Sequence, residues 1–117
     1  MQLNEMNFTD ALPIEGYGPG FFRIGGKVYN SAILVMPTGV EEWQGYDDAD
    51  SLLAKADEID VLFIGTGAEI AHIPAHLRTA LEAAEIGVET MASPSACRTY
   101  NVLLSEGRRV AAALLCV

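Results

Sequence analysis

The sequence predicts an α/β fold, a three-layer domain with a mixed, largely parallel central sheet, and three observations carry that prediction. Short apolar runs at 32–36, 61–64 and 110–117 have the length and composition of strands covered on both faces. The segments between them space apolar residues at helical intervals, as Leu77, Ala80, Leu81 and Ala84 do. Strand and helix then alternate along the chain, the pattern of crossover connections in a parallel sheet. At 117 residues the whole chain, 1–117, fits one domain with three main helices and an N-terminal β-hairpin.

The elements follow in order. The first twenty residues hold Pro13 and Gly16-Tyr17-Gly18-Pro19-Gly20, a density of breakers that favours an irregular connection. Residues 21–24 and 27–29 flank Gly25-Gly26, which supplies the positive φ values of a type I′ hairpin turn. This hairpin is expected to add antiparallel strands to the central sheet. The run 32–36 is a strand stopped by Pro37, and 51–58 a short helix with Asp50 near its start. Residues 61–64 form the strand expected nearest the sheet centre, ending in Gly65-Thr66-Gly67. Pro74 opens the next helix, Gly87 ends it, and 88–91 is a strand. Ser93-Pro94 reads as a capping serine before a proline at the first helical position. That helix runs to about Glu106, stops at Gly107, and is followed by the last strand, 110–117.

Composition excludes several function classes. A net charge of −9, from 16 acidic and 7 basic residues, repels phosphate backbones and argues against general nucleic-acid binding. Half of the acids fall between Glu41 and Asp60, where Lys55 is the single base. That segment reads as a solvated helix with its loops, or as an acidic docking face for a basic partner. Cys97 and Cys116 lie in apolar segments with no CxxC or Cys/His spacing, which suggests buried free thiols, no zinc and a reducing cytoplasm. The start, MQLNEMNFTD, lacks a basic n-region and an apolar core, and the longest apolar run is far too short to span a bilayer.

Two candidate sites emerge. In open α/β sheets ligands collect beyond the carboxyl ends of parallel strands. Gly65, Thr66 and Gly67 sit there, and the helix start at Ser93 faces the same edge, so the backbone amides could cradle a small anion. Arg98 and Asn101, farther along that helix, could reach the same edge. Equally, the glycines could serve only tight packing, and Asn101 on the inward face could tie down a neighbouring loop. The turn lacks the third glycine of a dinucleotide fingerprint, and no P-loop occurs. The second candidate is a protein-docking face at Trp43, Asp47 and Asp48, if Trp43 is exposed rather than folded over the core edge. Catalysis finds little support: His72 and His76 flank Pro74 with no link to Cys97, and no metal site or cofactor is suggested.

Gly16-Tyr17-Gly18, Phe21-Phe22-Arg23-Ile24, Trp43, Gly65-Thr66-Gly67, residues 96–103 and residues 105–111 occur in an order that resembles the Mth-type domain family of small α/β proteins. Its relatives include a mitochondrial respiratory complex I assembly factor and an adipogenesis-associated protein. The resemblance implies a three-layer domain with a mixed sheet and carries over Gly65, Thr66, Gly67, Arg98, Asn101 and Arg108 as motif positions. Ser93 stands where that pattern is expected to hold threonine, and either hydroxyl can cap. The family has no established reaction, so the resemblance implies a non-catalytic, assembly-factor-like protein with a protein partner, stationed in the cytoplasm. The alternatives are a binder of, or enzyme for, a small anionic ligand at the Gly65 edge, and motifs that only stabilise the fold.

Overall fold

The computed structural model describes residues 11–117. Three strands, β1 (Ile14–Gly18), β2 (Phe21–Ile24) and β3 (Lys27–Tyr29), form an antiparallel sheet in that order. A five-stranded sheet is built from β4 (Ile33–Met36), β5 (Gly39–Glu42), β6 (Val61–Gly65), β7 (Gly87–Met91) and β8 (Val110–Leu114), in the order β5-β4-β8-β6-β7. Its helices are α1 (Ala49–Leu53), α2 (Ala75–Ala83) and α3 (Ser93–Ser105), with a 3-10 turn at Ala56–Glu58. β6 runs parallel to both β7 and β8, whereas β4 runs antiparallel to β5 and β8.

The central strands are apolar throughout because both faces are covered. Leu34, Leu62, Ile64, Ala111 and Ala113 face Leu52 of α1 and Leu77 and Leu81 of α2. Ile33, Val35, Phe63, Ala112 and Leu114 face Ala96, Cys97 and Tyr100 of α3 and Phe22 and Ile24 of the small sheet. The small sheet and α3 therefore share one layer, α1 and α2 make the other, and the mixed sheet lies between them. Alternation along β4, β6 and β8 places successive residues in opposite cores.

Several local expectations change. Gly25 and Gly26 have φ of 61° and 78°, as a type I′ turn requires. The hairpin they close does not extend the central sheet, however. It pairs with β1, which arises from the glycine-rich stretch expected to be irregular. The antiparallel strands of the central sheet are β4 and β5 instead, because the chain turns back at Pro37-Thr38. β5 carries one apolar residue and two acids, which suits an edge strand and hides it from a hydrophobicity pattern. The middle strand is β8, with β6 beside it. The helix expected over 51–58 is two pieces, of which α1 is capped by Asp48 and carries Asp50 in its first turn, as expected. Helix α2 is closed off by Glu85, which follows the cap residue Ala84 and takes the left-handed position with φ of 65°, and Gly87 already belongs to β7. Ile86 N–H reaches Leu81 O at 3.1 Å and Glu85 N–H reaches Glu82 O at 2.9 Å, the paired bonds of a Schellman ending. The same pairing, Arg108 N–H to Leu103 O and Gly107 N–H to Leu104 O, ends α3 at Gly107.

Candidate functional site

The carboxyl ends of β6 and β7 bring Gly65, Thr66, Gly67 and Ser93 together, as the sequence places them, but they meet in a closed arrangement. Ser93 is fully buried. Its hydroxyl donates to Leu115 O at 2.6 Å and accepts from Gly67 N–H at 2.9 Å, while its own N–H donates to Gly67 O at 2.7 Å. The helix cap position falls on Ala92, so Ser93 is not the capping serine. Its hydroxyl instead staples the β6 turn to the segment after β8. A Cβ added at Gly65 would lie 2.7 Å from Ser93 Oγ, 2.8 Å from Leu114 Cδ2 and 2.9 Å from Ser93 Cα. Glycine at 65 is thus demanded by close approach of β6 to α3 and β8.

Thr66 is occupied in the same way. Its hydroxyl donates to Glu69 O at 2.7 Å and accepts from Ala71 N–H at 3.1 Å, while Thr66 N–H reaches Met91 O at 2.9 Å. Leu115 N–H closes on Gly65 O at 3.0 Å. The amide of Gly67 and the hydroxyls of Thr66 and Ser93 already have protein partners.

The other expected members lie elsewhere. Arg98 is exposed and holds Ser95 Oγ at 3.2 Å on its own helix. Asn101 faces β1: its Oδ1 accepts from Ile14 N–H at 2.8 Å and its Nδ2 donates to Ile14 O at 2.9 Å. One amide side chain thereby imitates a strand partner and fixes the start of the small sheet to α3. Arg108 sits at the opposite edge of the central sheet, in an apolar groove of about 380 Å³ with Met36, Pro37, Glu58 and Leu104. Arg98, Asn101 and Arg108 do not join the Gly65 turn, because α3 carries its residues away from that edge as it rises at 1.5 Å per residue.

At the second candidate, Trp43 is not an exposed anchor. It is 2% accessible, donates from Nε1 to Asp48 O at 3.1 Å, and meets the Tyr46 ring edge-on at 6.1 Å. An apolar body with one polar handle lets the indole close the core while satisfying its N–H. Asp48 caps α1 through Ser51 N–H at 3.1 Å and also accepts from Ser51 Oγ at 2.8 Å and Gln44 N–H at 3.3 Å. The Ser51 hydroxyl bond foremost, with the two backbone amides, holds its pKa below the ordinary aspartate value. Asp47 is exposed.

The nucleophile inventory is equally quiet. Burial raises the Cys97 thiol to about 11, which Arg98 only partly opposes, so Cys97 stays a thiol at neutral pH. Tyr100 OH is buried without a hydrogen-bond partner among the described residues, and burial pushes its pKa up. His72 and His76 are both exposed, and only His76 lies on α2.

A family model described as a protein of unknown function (DUF498/DUF598) matches residues 14–115. The chain belongs to this family. It is 51% identical over 115 residues to an uncharacterized protein of Rhodobacter capsulatus, covering 98% of this chain and 93% of that one. It is 32% identical to zebrafish (Danio rerio) NADH dehydrogenase [ubiquinone] 1 alpha subcomplex assembly factor 3, over 87% of this chain. The chain spans 63% of the length of that relative. Among solved structures, a Bartonella henselae protein described as an outer membrane protein superposes with a TM-score of 0.82 at 37% identity, covering 93% and 98% of the two chains. A Bordetella pertussis protein described as a Mth938-like domain superposes with a TM-score of 0.77 at 28% identity, covering 98% and 92%. These matches bear out the Mth-type resemblance and the α/β fold. Among the described residues no helix is long and apolar enough to cross a membrane.

Proposed function

We propose that this chain is a non-catalytic protein-interaction domain of the assembly-factor kind, acting in the cytoplasm. The observation that carries the reading is the match to a protein named as a complex I assembly factor, which extends over 87% of this chain. The geometry agrees with it. The strand-end turn is closed on itself, and the buried Cys97 thiol on α3 is held protonated. An anionic ligand at the Gly65–Gly67 and Ser93 edge would have to displace Gly67 N–H from Ser93 Oγ and the Ser93 hydroxyl from Leu115 O, and nothing at that edge favours the exchange.

Affinity purification of the tagged chain from its native cells, with cross-linking before lysis, tests the reading. The expected result is a small reproducible set of proteins cross-linked to surface residues of this domain. Recovery of no protein above the untagged control would overturn it.

A further inference from the structure

The geometry points to the free edge of β5 as a strand-addition site that accepts an extended, basic segment of a partner protein, an inference that rests on the interaction reading above. β5 and β3 are terminal strands of their respective sheets. Both line one cleft of about 440 Å³, with Val28, Tyr29, Asn30 and Ser31 on one wall and Val40, Glu41 and Glu42 on the other.

The backbone of β5 is oriented for pairing on this side. Trp43 N–H bonds to Ala32 O at 3.0 Å, which makes Ala32 and Trp43 a hydrogen-bonded pair in the antiparallel ladder. Alternation then assigns Leu34–Glu41 and Met36–Gly39 as hydrogen-bonded pairs too. The intervening residues, Val40 and Glu42, turn their N–H and C=O groups outward. On the facing wall, the two-residue turn makes Ile24–Lys27 a hydrogen-bonded pair, so Val28 directs its backbone groups outward from β3. An extended peptide laid against β5 would meet two donors and two acceptors at strand spacing.

Side chains select the occupant. Val40 and Glu42 lie on the same face as their partners Val35 and Ile33, toward the half-buried Tyr29. Glu41 lies on the other face, where Lys55 meets it at 3.5 Å. Glu42 has no ion pair among the described residues. The segment this strand opens, Glu41 to Asp60, holds eight acids and one base. A second copy of the chain, itself carrying −9, would set acid against acid along the edge. A strand with an apolar residue against Val40 and a lysine or arginine two positions away, against Glu42, satisfies both neighbours. Lys27, the cation on the opposite wall, is held over the Tyr29 ring at 5.2 Å, and the incoming cation is directed to the Glu42 end.

The test is an amide-resolved NMR titration of the full chain with a synthetic peptide of alternating lysine and valine, beside a glutamate-valine peptide and a lysine-valine peptide N-methylated along one edge. The expected result is saturable movement of the Val28, Val40 and Glu42 amides. The N-methylated and glutamate peptides should each bind at least about tenfold more weakly, as should the Glu42→Lys chain. Val40→Pro removes an outward donor without touching a ladder bond, and should weaken the lysine-valine peptide similarly. Equal affinity for the N-methylated peptide, movement centred on another surface, or no saturable movement would overturn the strand-addition site. In the purification experiment, partners retained in full by both Glu42→Lys and Val40→Pro would sink this site and leave the interaction reading standing. An empty wild-type purification would instead remove the interaction reading.

Discussion

Two margins of the central sheet behave in opposite ways. At the carboxyl ends of β6 and β7, the chain folds over itself until Gly65, Gly67, Ser93 and Leu115 satisfy one another. At the lateral margin, β5 ends the sheet with backbone groups turned to a cleft. The contrast shows what a glycine-rich strand end does and does not imply. Ligands gather at such ends because a crevice opens where connections diverge. Here the segment after β8 returns over the turn, and the hydroxyl of Ser93 bridges what would be the crevice. Close approach of β6 to α3 and β8 is what Gly65 provides.

If that margin is structural, its substitutions should cost stability before anything else. Gly65→Ala is expected to show the largest effect, about 3 kcal/mol or more, because backbone and side chain of α3 both stand within the space a methyl group needs. Ser93→Ala should follow at roughly 2–3 kcal/mol, since it leaves Gly67 N–H and Leu115 O unpaired in a buried setting. Urea denaturation of both variants checks the order. A Gly65→Ala chain as stable as the parent would break the contrast at its closed end.

Asn101 extends the closed region to the small sheet. Asn101→Ala should cost about 2 kcal/mol by releasing both polar groups of Ile14. Asn101→Asp distinguishes the two bonds, because a carboxylate accepts from Ile14 N–H but cannot donate to Ile14 O. Hydrogen exchange of β1 amides should accelerate in both variants relative to those of β6.

How much of this was legible from residues alone differs by margin. The apolar runs that became β4, β6 and β8 declare themselves, since strands buried on both faces need no alternation. Asn101 also announced itself as a polar residue on an inward helix face that must find a partner. The partner was unreadable, because Ile14 lies 87 positions away and sits in a strand its own glycines disguise. β5 was invisible for a different reason: an edge strand needs few apolar residues, and its two glutamates resemble a loop. The placement of Ser93 as a cap followed a sound local rule that tertiary structure overrode, since its hydroxyl found Leu115 O and Gly67 N–H in place of its own helix. Arg98 and Arg108 belong to recognisable motifs, yet motif membership says nothing about which edge a side chain faces.

Between the margins lies the acidic loop, where Asp48 links Trp43 to α1. Asp48→Ala should cost about 1 kcal/mol as a lost helix cap. The sign of its pH dependence follows from the folded-state pKa being below the unfolded one. Stability from this carboxylate is present above the ordinary aspartate pKa and is lost as pH falls through the lower folded value. Thermal melts between neutral and strongly acidic pH should therefore show a shallower acid limb for Asp48→Asn than for the parent chain. An unchanged limb would mean that Ser51 and Gln44 do not hold the carboxylate in solution.

The smallest expected effect belongs to the open margin and is the sharpest test of the contrast. Glu42 is exposed, has no ion pair among the described residues, and borders a cleft rather than a core. Glu42→Gln should therefore leave stability within about 0.5 kcal/mol of the parent. Removing one of the acids that crowd this segment relieves like-charge repulsion. Equilibrium denaturation at low and high salt checks this, since any repulsion relieved should fade as salt screens it. A loss above about 1 kcal/mol would show that Glu42 supports the fold, as Ser93 does, and that β5 is not a free edge waiting for a partner.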